Sequence, residues 1–189
     1  MYQQSLPIIL ASKSPRRQEL LSAMNLDFKV MLKEVDESYP AELLPADIAV
    51  YIAEKKAAAF AEDGREAIII TADTIVAYND EILGKPADAK HAREMLSKLS
   101  GTNHQVYTGV SLGYGDKLYS FYDRTEVFFN VLTDAQIAHY ISNYNPFDKA
   151  GAYGIQDWIG LIAVEKIIGS YTNVMGLPTE KLYRALSRF

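Results

Sequence analysis

A carboxylate interrupts an apolar run at Asp73. The stretch "EAIIITADTIVAYND" is uniformly apolar for four residues and then turns polar at Thr71, Asp73 and Thr74. An acidic residue inside a buried strand has to be paired, bound to a metal or placed at the exposed end of the strand. Asp73 is therefore either a structural carboxylate bonded to backbone amides, or a base or metal ligand that takes part in chemistry.

Two adjacent cations, Arg16 and Arg17, begin a predicted helix just behind Ser14-Pro15. The helix dipole makes this end mildly unfavourable for positive charge, so the arginines are either solvated or await an anion. A phosphate bound there would meet both backbone amides and guanidinium groups. Because adjacent helix residues point about 100° apart, we expect two roles: Arg17 binds phosphate, and Arg16 reaches toward the base or sugar.

Three further charged residues are candidates for a phosphate-binding site. Lys56 lies on the apolar stripe of a predicted helix, about 100° from Lys55, so its ammonium must either reach solvent or meet an anion. Lys85, in a Gly-Lys-Pro turn, and Glu37, in "EVDES", are each either solvated charges or site residues. Beside bound phosphate, Lys85 would be a phosphate ligand and Glu37 an oxygen ligand for a divalent cation.

An amide ends the segment "DKAGAYGIQ", residues 148–156. Gly151 and Gly154 allow a close backbone approach or a positive φ, and Gln156 offers both a donor and an acceptor, which suits a base edge. The alternative is a tight loop that leads into a strand. The segment "GTNHQVYTG" lacks the Gly-Lys-Ser/Thr ending of a Walker A motif. Cations for phosphate, carboxylates for Mg²⁺ and an amide for a base together predict a nucleoside triphosphate site.

The elements that must position these residues follow from apolar periodicity and capping signals. We predict helices over 15–24, over 45–63, over 87–101, from the "TDAQ" capping box to residue 144, and after Pro178. We predict strands over 6–12, 28–38, 66–80, 152–156 and 160–169, with a hairpin over 104–132 that turns near 113–117. This alternation, followed by a hairpin-rich middle, predicts an α/β protein with a mixed sheet.

Composition narrows the class of protein. The chain has 189 residues, a length that suits one domain over 1–189. A pI near 5.2 argues against broad binding to nucleic acid. We recognise neither a signal peptide in "MYQQSLPIILAS" nor an apolar run approaching the ~20 residues of a membrane span, so we expect no membrane partner. The absence of cysteine fits a reducing compartment, and we expect a cytoplasmic protein.

The motifs in order along the chain resemble the Maf family of nucleoside triphosphate pyrophosphatases. They are "LASKSPRRQELL", "EVDES", "IAEKKA", "TADTIV", "LGKPAD", "LSGTNHQVYTGV", "DKAGAYGIQ" and "GSYTNVMGLP". The resemblance covers nearly the whole chain. It implies an elongated mixed sheet flanked by helices, an inosine-triphosphatase-like (Maf/Ham1-like) architecture with a cleft between two lobes.

The resemblance also implies an activity, the hydrolysis of dTTP and UTP to the monophosphate and pyrophosphate with a divalent metal, Mg²⁺ or Mn²⁺. Asp73 would be the catalytic acid or base. Residues that match the family's other site positions divide into base specificity (Arg16, Thr74, Gln156), phosphate binding (Ser12, Arg17, Lys56, Lys85) and metal binding (Glu37, Asp73). Asp157 and Trp158 depart from the glycine that often follows the glutamine, and would narrow the base pocket or cap a strand.

Other interpretations stay open at this point. Asp73 would activate water either directly or through the metal. The chain could also be a non-catalytic nucleotide-binding regulator of septum formation and cell division, or an inosine-type house-cleaning triphosphatase. Family members often pair, which leaves a homodimer open.

Overall fold

The computed structural model describes residues 4–189, which divide into two compact units. The first unit comprises the described residues up to Thr74 together with Thr108–Asp123 and Gly176–Phe189. The second comprises Ile75–Tyr107 and Arg124–Met175. The expectation of a single domain over the whole chain, like that of a cleft, stays a prediction.

Seven strands of the described chain form one mixed sheet in the order β2-β1-β3-β5-β6-β7, with β4 paired to β3. They are β1 (Ile8–Leu10), β2 (Phe28–Val30), β3 (Ile68–Tyr78), β4 (Glu81–Leu83), β5 (Asn103–Tyr114), β6 (Lys117–Phe129) and β7 (Val164–Ile168). In the first unit, β1 runs parallel to both β2 and β3, with Ile8 opposite Phe28 and Ile68. In the second unit, β4 pairs antiparallel with the end of β3, and β7 pairs antiparallel with β6.

The described chain has seven α-helices, and several of them begin at a side-chain cap. They are α1 (Pro15–Ala23), α2 (Pro45–Ala58), α3 (Ala89–Leu99), α4 (Asp134–Tyr144), α5 (Trp158–Ala163), α6 (Tyr171–Met175) and α7 (Thr179–Leu186). Ser14 caps α1, and Thr133 with Gln136 forms the predicted capping box of α4. Three short 3₁₀ segments cover Asp63–Arg65, Pro146–Asp148 and Ala150–Ala152.

Each unit has its own apolar core. In the first unit, strands β1 and β3 contribute Leu10 and Ile70, which pack with Leu21 of α1 and Leu182 of α7. In the second unit, Leu96 of α3 lies in a core with residues of β3 to β6 and of α4 and α5. These side chains are almost entirely buried, which fixes the helices against the sheet.

Several predicted elements are confirmed and others are wrong. The hairpin over β5 and β6 turns where expected. Strand β3 forms within the predicted strand over 66–80. The second strand ends at Val30 instead of 38, because the following residues form an irregular loop up to α2. No strand forms over 152–156, where a left-handed Gly151 leads into a turn. Residues 158–163 are helical, and only then does β7 begin.

Among residues 4–189, no helix combines the length and apolar character that crossing a membrane requires.

Candidate functional site

Helix α2 lies close against the sheet in the first unit. A Cβ added at Gly109 of β5 would come within 2.3 Å of the backbone of Ala49, so only glycine allows this approach. The Thr71 hydroxyl of β3 donates to the carbonyl of Ala53 at 2.7 Å. These contacts hold the first turns of α2 against β5 and its middle against β3, and Lys56, one turn beyond Ala53, lies beside Asp73.

Lys56 joins the two predicted carboxylates. Its Nζ lies 2.7 Å from Oδ1 of Asp73 and 2.8 Å from Oε1 of Glu37. The Lys56 and Asp73 side chains are only 16% and 15% exposed, whereas Glu37 is 49% exposed. A lysine on the apolar stripe was predicted to reach solvent or meet an anion, and it meets two. Partial burial strengthens such charge-assisted contacts relative to those on an open surface.

The loop that carries Glu37 is held by the neighbouring lysine. Lys55 Nζ lies 3.1 Å from Oδ2 of Asp36 and donates to the carbonyl of Ser38 at 3.0 Å. Hydrogen bonds from Ser38, together with Lys55, lower the pKa of Asp36 to about 2. Consecutive lysines on α2 therefore hold consecutive acidic residues of the loop. The sequence interpretation set Lys55 aside because it lies off the apolar stripe, and so missed this contact.

A second polar cluster surrounds the start of α1. Ser12 is 8% exposed, and its Oγ accepts hydrogen bonds from the backbone N–H of Ser14 and from Nη1 of Arg17. Ser14 in turn accepts from the backbone N–H of Arg17. The predicted combination of a buried strand, a serine and a capped helix is therefore present.

The guanidinium group of Arg17 donates hydrogen bonds to several groups of the first unit. Its Nε donates to the carbonyl of Gly176 at 2.7 Å, and its Nη1 to the carbonyl of Ala72 at 2.9 Å as well as to Ser12. Its Nη2 donates to Oγ1 of Thr74 at 3.0 Å. Burial lowers the pKa of Arg17, and the nearby Asp73 carboxylate opposes this. Four of its five N–H donors thus serve the first unit itself, which a periodicity argument could not reveal.

Thr74 and Arg16 border this cluster. The Thr74 hydroxyl also lies 3.0 Å from Oγ1 of Thr108 on β5, a contact that sequence reasoning missed because the two residues are distant along the chain. Arg16 is half-buried on α1, and its charge contributes to lowering the pKa of Arg17. The first unit therefore brings together Ser12, Arg16, Arg17, Glu37, Lys56, Asp73 and Thr74.

Lys85 and Gln156 belong to the second unit. Lys85 is exposed in the turn between β4 and α3. Asp88, later in the same turn, is the N-cap of α3. The preceding residue, Gly84, accepts a hydrogen bond from the backbone N–H of Gly151 at 3.1 Å. The Gly-Lys-Pro turn thus touches the segment that leads to Gln156.

Gln156 lies in a tight turn and has a buried acceptor. Its Oε1 is buried and has no hydrogen-bond partner among the residues that the structure describes. Asp157 and Trp158, which differ from the glycine that often follows the glutamine in the family, both contact α4. The Asp157 carboxylate accepts from the Tyr140 hydroxyl at 2.6 Å, and the Trp158 ring stacks at 6.3 Å on Tyr144. Asp157 precedes helix α5, so the idea that it caps a strand is wrong.

The chain is similar in sequence to a known family over nearly its whole length. The family model described as "Maf-like protein" matches residues 7–189. The chain belongs to the Maf family. A dTTP/UTP pyrophosphatase of Bacillus cytotoxicus is 51% identical over 181 residues, covering 96% of this chain and 94% of that protein. One of Bacteroides fragilis is 50% identical over 183 residues, covering 96% and 95%. One of Cytophaga hutchinsonii is 48% identical over 181 residues, covering 96% and 83%.

Solved structures support the fold of this Maf-family chain. The Ham1 protein of Staphylococcus aureus matches with a TM-score of 0.53 at 15% identity, covering 95% of this chain and 99% of that one. A HAM1 protein from Coxiella burnetii matches with a TM-score of 0.51 at 13% identity, covering 97% and 100%. The predicted mixed-sheet, Maf/Ham1-like architecture is confirmed.

Proposed function

We propose that this Maf-family chain hydrolyses dTTP and UTP to the nucleoside monophosphate and pyrophosphate. It would therefore be a nucleotide diphosphatase. Relatives about half identical over nearly the full length bear the name dTTP/UTP pyrophosphatase, which supports the substrate. The observation that carries the chemistry is the pair of carboxylates, Asp73 and Glu37, that share the ammonium group of Lys56. Phosphoanhydride hydrolysis needs such groups to activate water and to balance phosphate charge.

Asp73 is the proposed catalytic residue. Its hydrogen bond to Lys56 uses Oδ1, so Oδ2 is the atom that we assign to accept a proton from water. The water oxygen bonds to the α-phosphorus, and the bond from that phosphorus to the bridging oxygen breaks. Pyrophosphate then leaves with the electron pair of that bond. Direct proton transfer to Asp73 is a simpler route than activation of the water through the metal.

The donor set fits a hard divalent cation that is shared with substrate. Within residues 4–189, no group of three or more His, Asp or Glu side chains is placed to hold a metal. Two carboxylate oxygens nevertheless converge on one cationic group, so the spot favours positive charge. Mg²⁺ is commonly held by one or two carboxylates together with substrate phosphates. Mg²⁺ or Mn²⁺ held by Glu37 and Asp73 would neutralise charge on the phosphates.

Phosphate binding falls to Ser12, Lys56 and Lys85, with the backbone amides at the start of α1. Because four of its N–H donors are already used, Arg17 contributes mainly its charge and the placement of Ser12 and Thr74. We therefore propose that Arg17 supports phosphate binding indirectly, whereas the sequence predicts a direct contact.

Base recognition is assigned to Arg16, Thr74 and Gln156. An amide oxygen accepts hydrogen bonds, and thymine and uracil both present an N–H at ring position 3, where cytosine presents an acceptor. The buried, unpartnered Oε1 of Gln156 suits that N–H, because an unsatisfied buried acceptor is costly until a donor arrives.

A panel of dTTP, UTP, CTP, 7-methyl-GTP and ITP with Mg²⁺ or Mn²⁺ tests the proposal through release of pyrophosphate. We expect pyrophosphate and the monophosphate from dTTP and UTP in preference to the others. Binding across the panel without release would instead indicate a regulator of cell division. A preference for ITP would indicate an inosine-type house-cleaning enzyme.

The setting of the reaction is also a proposal. We propose a cytoplasmic enzyme, in keeping with its lack of cysteine, that engages neither nucleic acid nor membrane. The acidic composition supports the first exclusion. A homodimer, frequent in the family, is the proposed assembly, and light scattering during gel filtration measures it.

A further inference from the structure

The Tyr140 hydroxyl of α4 is bonded on both sides of a turn. It donates to Oδ2 of Asp157 at 2.6 Å and accepts from the backbone N–H of Gly154 at 3.0 Å. Tyr140 is fully buried. Burial raises the pKa of its hydroxyl, and the hydrogen bond to Asp157 raises it further, so the group stays a proton donor.

The turn that Tyr140 holds contains Gln156. The backbone N–H of Asp157 donates to the carbonyl of Gly154 at 3.0 Å, which closes a four-residue turn with Gln156 as its third residue. The tyrosine hydroxyl joins the first residue of this turn to the side chain of the last. The first and last residues of the turn that carries Gln156 are therefore both hydrogen-bonded to the Tyr140 hydroxyl oxygen.

Close packing leaves this turn little freedom. A Cβ added at Gly154 would lie 2.7 Å from Oδ2 of Asp157 and 3.0 Å from Nε2 of Gln156, so the two side chains crowd the open face of the glycine. Lys149 Nζ lies 3.8 Å from the same Asp157 oxygen, and the two side chains are 11% and 17% exposed. A nearby cation offsets part of the cost of burying the carboxylate.

We propose that Tyr140 and Asp157 are positioning residues that hold the Gln156 amide in register for the base. This inference rests on the proposed function, in which Gln156 reads the base. It also gives a role to Asp157, the residue that departs from the family pattern: the carboxylate contacts α4 and acts on the base through the turn.

The donor and acceptor roles of Tyr140 and Asp157 determine which substitutions test the proposal. Tyr140→Phe keeps the ring and removes the hydroxyl that serves both contacts. Asp157→Ala removes the acceptor, whereas Asp157→Asn keeps an oxygen that can accept from Tyr140. Tyr144→Phe is the matched control, because Tyr144 lies on the same helix, is 38% exposed and contacts Trp158 through its ring.

Steady-state kinetics with dTTP and CTP, together with melting temperatures, test the inference. We expect Tyr140→Phe and Asp157→Ala to lower the preference for dTTP over CTP by about tenfold, the worth of roughly one hydrogen bond. The loss should come mainly from a higher KM for dTTP, with kcat nearly kept. Asp157→Asn should restore most of the preference, and Tyr144→Phe should leave it unchanged.

The variant Gln156→Ala separates the base-reading role of Gln156 from the positioning role of Tyr140 and Asp157. If it keeps the preference for dTTP, the base-reading assignment is wrong and the positioning role falls with it. If Gln156→Ala loses the preference while Tyr140→Phe and Asp157→Ala keep it, the positioning inference alone is overturned. Lower melting temperatures with unchanged preference would make Tyr140 and Asp157 purely structural. Should Tyr140→Phe fail to fold, the comparison of Asp157→Ala with Asp157→Asn decides the matter.

Discussion

The Nζ atom of Lys56 lies 2.7 Å from Oδ1 of Asp73, and both side chains are largely buried. The same ammonium group contacts the more exposed Glu37. A cation between two carboxylates balances their repulsion, and it also occupies the position where a divalent cation would be attracted. Lysine and metal are therefore alternative or cooperating sources of positive charge at this point, and variants can separate them.

Replacing Lys56 with methionine keeps the length and apolar stem of the side chain and removes its charge. We expect kcat/KM for dTTP to fall about 10- to 100-fold, since one or two charge-assisted hydrogen bonds are lost. We also expect tighter binding of Mn²⁺ to the substrate-free protein, measured by electron paramagnetic resonance. Lys98→Met, which removes a surface ion pair with Glu81, is the control. Unchanged Mn²⁺ affinity in Lys56→Met would contradict the competition between lysine and metal.

The substitution Asp73→Asn keeps the shape of the side chain and removes its basicity. We expect pyrophosphate release from dTTP to fall at least about 100-fold, in line with the usual contribution of a general base. Binding of a non-hydrolysable dTTP analogue, measured by calorimetry, should also weaken but by much less, because Glu37 remains as a ligand for the metal. Full activity of this variant would show that Asp73 is not the catalytic residue.

The two adjacent arginines should respond differently to truncation. Arg17→Ala leaves several acceptors in the first unit without their donor, among them the carbonyls of Ala72 and Gly176. We expect it to lower the free energy of unfolding by about 2–4 kcal/mol and to weaken all substrates alike. Arg17→Lys should recover little, because an ammonium group cannot reproduce the planar set of donors.

Arg16→Ala should leave the unfolding transition nearly in place and change the ranking among dTTP, UTP and CTP. Urea denaturation and the substrate panel measure the two effects. Matching specificity profiles for the Arg16 and Arg17 variants would count against separate roles.

His104 gives the protein a pH-dependent stability. It is fully buried, its Nε2 lies 2.7 Å from the Tyr153 hydroxyl, and burial lowers its pKa from 6.5 to about 4. Between these two values the unfolded chain binds a proton at His104 and the folded chain does not. The free energy of unfolding should therefore fall as the pH falls through this window, by up to about 3 kcal/mol.

Urea denaturation at pH 7, 5 and 4 measures this loss of stability. His104→Phe should be less stable at neutral pH, because Tyr153 loses its partner, but its stability should fall less steeply on acidification. An equal slope for the two proteins would assign the pH dependence to other groups.

Local patterns predicted the fold well where one element carried its own signal. Ser14 before Pro15, the Thr133 capping box and the apolar run that begins at Ile68 each specify a helix start or a strand without help from distant residues. The strand over 152–156 was wrong because Gly151 adopts a positive φ and Tyr140, on another element, closes the turn that follows. No local pattern encodes that contact.

The candidate site was predicted as a set of residue types but not as a set of bonds. Lys56 on an apolar stripe pointed correctly to an anion, and the structure supplies Asp73 and Glu37. The contacts of Arg17 with Gly176 and of Thr74 with Thr108 join residues far apart in sequence, so only the folded chain reveals them. The functional roles of these residues stay predictions until the variants are measured.

The loop that bears Glu37 owes its place to lysine contacts. Lys33, within the loop, contacts Asp63 beyond α2, while Lys55 and Lys56 of α2 contact Asp36 and Glu37. The two acidic partners in the loop, Asp36 and Glu37, are exposed, so dissolved ions compete for them. Salts that are excluded from the protein surface, such as sulfate, instead strengthen the burial of the apolar cores. Ionic strength should therefore act on Glu37 selectively, and we expect concentrated sulfate to loosen the loop while the apolar cores stay packed.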